Sequence, residues 1–306
     1  VSTVELENTR SRNLTLVLAF AAIYVIWGST YLAIRVGVRS WPPFLMSSLR
    51  FLGAGAALYA ILRKRGVAAP TRAQWARAAV AGLLMLLAGN GLVTWAERSV
   101  PSNLTALLVA GVPLYTALLD WLRPGGAPPS ARVLLGIGVG AAGMALLVSG
   151  GGSSAHSVSA LAVLAIIVSG ICWSAGSLYA RYGNLHGDPV MAAAQEMLAG
   201  GAAMFALSVA RGEPQHLALA SLTREGVLAL AYLTIIGSLV AFSAFGWLVK
   251  ATTPAKLSTT AFVNPVVAVV LGWAILGETL SPRALGGAAL ILCAVVVMTM
   301  RSRARA

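Results

Sequence analysis

Five residues near the start of the chain, Tyr24, Trp27, Gly28, Tyr31 and Arg35, are spaced so that the last four lie 3, 4, 7 and 11 positions beyond the first. On a helix that spacing puts them on one face. Two phenols and an indole give flat apolar surfaces with polar tips. Gly28 lets another backbone approach. The chemistry of such a stripe is stacking and hydrogen bonding, not bond making. An interfacial aromatic belt or plain helix packing would use the same residue types. Belts sit at helix ends, whereas Trp27 falls near the middle of its apolar run, so a cavity-facing stripe is the favoured reading. A related string at 171–181, ICWSAGSLYAR, carries Trp173, Gly176, Ser177 and Arg181. The two Trp-bearing helices are expected to face each other.

Other polar groups inside apolar runs are few. Asn90 and Thr94 are one turn apart, as are Thr260 and Asn264; Thr234, Ser238 and Phe245 lie near one face of a third segment. Pro113 and the Asn264-Pro265 pair are expected to interrupt their helices and leave carbonyl groups for a ligand or a bend. Small polar residues also hold helices together, so a structural role stands beside the binding role for each. The candidate binding set is therefore Tyr24, Trp27, Tyr31, Asn90, Thr94, Trp173, Ser177, Thr234, Ser238, Thr260 and Asn264. Arg50 and Glu196 are the charges well inside apolar runs, where a charge is costly and is usually functional or paired. Snorkelling to the surface is the alternative for Arg50, and a salt bridge between the two is conceivable. Glu196 is suited to taking a proton or binding an amine. Asp120 and Glu278, near helix ends, read as anchors or caps. Phosphate loops, Ser-His-Asp sets, HExxH and paired catalytic carboxylates are missing from the sequence, so neither an enzyme nor a cofactor is expected. Cys172 and Cys293 lie in apolar runs and His156, His186 and His216 in links, so no metal site is expected.

The elements that must position these residues follow from composition. Of 306 residues, 58% are hydrophobic and 10% charged, against about 25% charged in soluble proteins. Crossing the hydrocarbon takes roughly 20 apolar residues. Apolar runs and turn signals predict ten membrane-spanning helices, over 14–34, 44–62, 76–96, 101–121, 131–149, 158–180, 189–210, 226–249, 254–277 and 282–300. The links carry the breakers: Pro42-Pro43, Pro101, the stretch from Pro124 to Pro129, Gly150 to Gly152, Asp188-Pro189, Pro254 and Pro282. No cleavable leader stands out. The net charge of +13 sits in short links, which is how topology is encoded, and no soluble basic domain exists to bind nucleic acid. With the N-terminus in the cytoplasm, fifteen Lys and Arg fall inside and six outside, with Arg50 within a span. Both termini are thus expected in the cytoplasm.

The chain also repeats itself. Trp27 and Trp173, Arg35 and Arg181, Pro43 and Pro189, Arg50 and Glu196, and Arg65-Gly66 and Arg211-Gly212 are each 146 apart. The offset then becomes 152 for Thr71-Arg72 with Thr223-Arg224, Trp95 with Trp247, Pro113 with Pro265 and Trp121 with Trp273. SARVLLG at 130–136 matches SPRALGG at 281–287. Residues 1–150 and 151–306 are expected to be two copies of a five-helix unit, inverted because five is odd. Inverted repeats are a transporter architecture, with the substrate near the mid-plane between the halves. Glycines 136, 138, 140 and 143 read as close helix packing.

WGSTYLAIR, the LTALLVAGVPLYTALL helix and the long string from Leu257 to Met298, with Gly277, Glu278, Leu280, Arg283 and Gly287, resemble the drug/metabolite transporter superfamily. Within it they resemble bacterial exporters with two EamA domains, the amino-acid exporters of the YddG type among them. The resemblance covers nearly the whole chain. The first repeat departs from it at Arg123-Pro124-Gly125-Gly126, where the acidic corner is missing. The resemblance implies a basket of helices one to four and six to nine around a cavity, with five and ten outside. It implies export of amino acids and other small metabolites. Smaller multidrug relatives use a Glu in the first helix to exchange protons, but 14–34 holds no acid. Facilitated diffusion and coupling through Glu196 both stay open.

The expectation is thus an all-α polytopic protein of the bacterial inner membrane that exports small metabolites, amino acids including aromatic ones foremost, by alternating access. Proton-driven efflux of lipophilic cations is the alternative, and it needs an accessible carboxylate. The expected partners are a small-molecule substrate and the lipid bilayer, with the chain a monomer or weak dimer.

Overall fold

The computed structural model describes residues 3–126, 128–149, 159–252, 257, 260–277 and 282–299. Glu278, Leu280, Gly150 to Gly152, His156, Pro254, Lys256 and the last Arg residues lie outside the described residues.

Among the described residues the chain is helical and has no strand. The helices are α1 Thr3–Gly37, α2 Pro43–Lys64, α3 Arg72–Ala96, α4 Leu104–Leu122, α5 Ala131–Ser149, α6 Ala160–Tyr182, α7 Pro189–Ala210, α8 Arg224–Ala251, α9 Thr260–Leu276 and α10 Pro282–Thr299. Leu14–Gly37 of α1, together with α2, α3, α4, α6, α7 and α8, gives seven helices long and apolar enough to cross a membrane. Val17, Leu161 and Trp273 are 64%, 63% and 68% exposed. Large apolar side chains this open suit lipid and not water. This is a polytopic membrane protein.

Local chemistry sets the helix ends. Thr71 accepts from the Gln74 amide N–H while the Gln74 side chain accepts from Thr71, a reciprocal cap that starts α3. Thr223 does the first half of this for α8 through the Gly226 N–H. Gly66 (φ 82°) ends α2 and Gly212 (φ 70°) ends α7. In both, the next residue donates back to the third-last helical carbonyl, Val67 N–H to Leu62 O and Glu213 N–H to Ser208 O. Only glycine takes that left-handed turn without strain. Asp188 caps α7 through the Val190 and Met191 N–H groups. The α2 start has no such local cap, since Pro42 precedes it; instead Glu213, brought from the end of α7, accepts from the Phe44 and Leu45 N–H groups.

α3 and α8 each contain an eight-residue stretch of π-helix, Leu83–Asn90 and Leu233–Val240. The wider turn loosens the backbone ladder and is often found at functional sites. α4 breaks at Ala110-Gly111, just before Pro113, as the proline predicts. α9 behaves differently: the helix runs through Pro265 without a break. With its amide oriented to donate, Asn264 reaches Thr260 O (3.1 Å) and Tyr24 O (3.2 Å), tying this stretch to its own preceding turn and to α1.

Lipid tails are as apolar as leucine, so close packing must hold the helices together. Glycine supplies it. A Cβ on Gly82 would lie 2.5 Å from Glu196 O, and one on Gly200 2.7 Å from Gly82 O, so α3 and α7 touch through their backbones. A Cβ on Gly28 would lie 2.5 Å from Val267 Cβ, which seats α1 on α9. α5 and α10 pack mainly on each other, with Gly143 against Gly287 O. The expected packing role of the 136–143 glycines holds for Gly140 and Gly143, whereas Gly138 meets open space.

Candidate functional site: a cavity between seven helices

A cavity of about 110 Å³ lies between α1, α2, α3, α4, α6, α8 and α9. Of the candidate binding residues, Trp27, Tyr31, Asn90, Trp173, Thr260 and Asn264 line it, and so does Arg50. Of the α1 stripe, Trp27 and Tyr31 point inward, joined by Thr30 and Ile34, whereas Tyr24, Gly28 and Arg35 do not line the cavity.

Arg50 is the charged group in the wall and is 4% exposed, so it does not snorkel to the surface. Its Nε donates to Ser238 Oγ at 2.7 Å, and its guanidinium carbon lies 4.6 Å from the Phe51 ring centroid. It makes no ion pair with Glu196: the salt bridge found among the described residues joins Arg123 to Asp120 at 2.5 Å, three positions apart at the end of α4. Glu97, fully buried at the end of α3, is near enough for its charge to act on both Arg50 and Tyr31.

One wall of the cavity runs into a cluster of aromatic rings. Trp27 and Trp173 meet edge to face, with centroids 5.6 Å apart. Phe245 lies 5.0 Å from Trp27 and 5.6 Å from Trp173; Phe242 lies 6.4 and 6.3 Å from the same two rings. Edge-to-face and offset geometry within about 7 Å is favourable for rings. The Trp27 Nε1–H donates to Gly237 O within the π-helical stretch of α8, so this indole offers the cavity only its ring.

The EamA-like transporter family model matches the chain twice, over residues 14–149 and 160–300. The protein is a member of the EamA-like transporter family. It is 43% identical over 285 residues to the uncharacterized inner membrane transporter YedA of Escherichia coli K12, covering 92% of this chain and 90% of that one. It is 29% identical to a probable terminal-alkyne amino-acid exporter of Streptantibioticus cattleyicolor, with 94% of each chain covered. A protein crystal structure at 25% identity superposes with a TM-score of 0.68 over 94% of this chain and 98% of that one.

The transporter places the remaining candidates off the cavity. Thr94 is fully buried, accepts from Ser47 Oγ (3.1 Å) and donates to Asn90 O (3.0 Å). Thr234 donates to Leu230 O on its own helix. Ser238 holds Arg50, one step behind the wall. Tyr24 meets Asn264 through its backbone carbonyl and Phe20 through its ring. Ser177 has a buried hydroxyl away from the cavity lining, and Glu196, 5% exposed, is also absent from the lining. Arg35 and Arg181 share another task. Arg35 Nη1 donates to Glu97 O at the end of α3, and Arg181 Nη1 to Val249 O (2.7 Å) and Thr252 O (3.1 Å) at the end of α8. A cation at a helix C-terminus satisfies carbonyls that have no helical partner.

Several wall residues of the transporter were not singled out from sequence. Thr30 and Ile34 continue the stripe one turn beyond Trp27 and Tyr31, and Ser169 and Gly170 precede Trp173 by one turn. Phe242 lies one turn before Phe245 and four residues after Ser238. Helical spacing from the chosen residues finds all five. Glu97 has no such signal, since it lies just past the apolar run.

Proposed function

We propose that this transporter exports small metabolites, amino acids including aromatic ones foremost, across the bacterial inner membrane. It would do so by alternating access of two inverted five-helix repeats, 1–150 and 151–306, with ten spans and both termini in the cytoplasm. The observation that carries the reading is the central cavity, walled by helices from both halves and by Trp27 and Trp173, which are equivalent by the 146-residue offset. Shared local structure at equivalent positions supports the repeat: the Gly66 and Gly212 turns, the Thr71 and Thr223 caps, the π-helical stretches, and Arg35 and Arg181 on the ends of α3 and α8. The inner-membrane relative and the amino-acid exporter among the similar proteins support the location and the substrate class. Cation efflux is the weaker reading, because the carboxylate it would need, Glu196, is not in the cavity wall.

Two experiments test this. Liposomes carrying the pure protein should take up labelled Phe, Met and Thr, with and without a pH gradient. Flux without a gradient identifies facilitated transport, and a pH response abolished by Glu196→Gln identifies a proton site. Protein-free rates for every amino acid would refute the reading. Cysteines placed at Arg65 and Arg211 should react from opposite sides of the membrane; reaction from one side would end the inverted arrangement.

A further inference from the structure

Several hydrogen-bonding groups in the cavity wall have already given their protons away. Thr30 Oγ1 donates to Trp27 O (2.7 Å), Ser169 Oγ to Ile166 O (2.6 Å) and Thr260 Oγ1 to Leu257 O (2.9 Å). A hydroxyl has one proton to give. Each of these three has given it to its own helix and can offer a solute only lone pairs. The indole N–H of Trp27 is likewise committed, to Gly237 O.

Arg50 is the reverse case. A guanidinium has five N–H donors and no acceptor. Of the five, the Nε–H is taken by Ser238 Oγ, and no other hydrogen bond of Arg50 and no ion pair is found among the described residues. The forked Nη end therefore stays open in a side chain 96% removed from solvent, in a wall shared with Trp27, Trp173 and Phe242. Glu97 acts on this buried charge through its field, and no hydrogen bond between the two is found among the described residues, so the Nη sites still lack the bonds that offset the cost of burial. Ser238 and the Phe51 ring hold the guanidinium in place, and the fork geometry matches a carboxylate through two parallel N–H···O bonds.

We propose that the cavity selects solutes that carry a carboxylate, with Arg50 as the anchor of that group, the lone pairs of Thr30, Ser169 and Thr260 accepting from an ammonium, and the ring cluster taking an apolar side chain. This rests on the transport reading and names its substrate class: α-amino acids and related carboxylates with apolar side chains, rather than amines or lipophilic cations. Arg50 supplies the charged, forked donor pair of the wall, beside the neutral O–H and N–H groups of Tyr31, Asn90 and Trp173, so loss of the solute's carboxylate costs more than loss of its ammonium.

The test uses the full chain in lipid nanodiscs and a matched panel: L-phenylalanine, 3-phenylpropionate, L-phenylalaninamide, phenethylamine and tetraphenylphosphonium. Titration calorimetry should show the two carboxylates binding at least tenfold more tightly than the other three. Arg50→Gln should erase that difference, and Arg50→Lys, which keeps the charge but not the fork, should retain part of it. Amide or amine binding within threefold of the acids in the unmodified protein overturns the proposal, and this result needs no variant to fold. A tenfold preference surviving in folded Arg50→Gln overturns it as well. Liposome flux separates the two levels. Equal flux of phenethylamine and phenylalanine removes the carboxylate rule and leaves the transporter reading standing, whereas no binding and no flux of any compound removes both.

Discussion

α3 and α8 carry residues related by the 152-residue offset and each holds a π-helical stretch, yet their seams are built differently. α6 and α7 meet α3 backbone to backbone. Gly82 and Gly200 cross in contact, Gly176 closes on Met85, and Trp173 lies over Gly89. The side-chain hydrogen bond found on this side among the described residues is at its edge, from Arg77 Nη1 to Asn184 O (2.7 Å) in the link between α6 and α7. α1 and α2 meet α8 through polar links: Ser29 Oγ with Tyr232 OH (2.6 Å), Trp27 Nε1 with Gly237 O (3.2 Å) and Arg50 Nε with Ser238 Oγ (2.7 Å). The glycine seam gains from dispersion over a long contact and resists small displacements. The polar seam is made of a few discrete bonds, each of which can be exchanged for a bond to a solute or to water. The cavity lies beside the polar seam, with Trp27, Thr30, Arg50 and Phe242 in its wall.

The largest effect should come from the glycine seam. Gly82→Val pushes a branched side chain into the Glu196 carbonyl and should destabilise the transporter by about 3 kcal/mol, the upper part of the overpacking range, seen as a lower unfolding temperature and loss of the monodisperse peak. A stable, fully active Gly82→Val protein would show that the seam is not tight. Trp27→Ala and Trp173→Ala should each cut phenylalanine flux at least tenfold while leaving the chain folded; unchanged flux in both refutes an aromatic binding surface. On the polar seam, Ser238→Ala removes the partner of a buried guanidinium and should cost about 1–3 kcal/mol, read by thermal unfolding, together with weaker binding of carboxylates. Glu213→Ala strips the cap of α2 and should cost about 1 kcal/mol. The smallest effect belongs to Tyr232→Phe, about 0.6 kcal/mol for one hydrogen bond between membrane helices. A loss as large as that of Gly82→Val would mean that the polar seam holds the fold and does not merely link it.

Much of the site was legible because helical spacing is a local property. The stripe from Tyr24 to Arg35 was read as one face, and Trp27 and Tyr31 do line the cavity. The meeting of Trp27 with Trp173 followed from a repeat visible in the numbering. The roles of Ser238 and Thr94 were not legible. Both look like binding groups in a helix, yet one holds Arg50 and the other bonds Ser47 and Asn90. Position on a helix does not say which polar groups have already found partners on its neighbours.

By itself, the amino-acid order determined the apolar runs, the Thr and Asp caps, the glycine turns after α2 and α7, and the membrane class, because each depends on residues within a few turns of one another or on composition. Tertiary structure alone decided that Glu213 caps α2, that Arg35 and Arg181 close the ends of α3 and α8, and that Arg50 reaches Ser238 across 188 residues to face a cavity. Those pairings join groups far apart in the chain. A buried charge or an open helix end says that a partner is needed, and only the packing of the helices brings a particular one within reach.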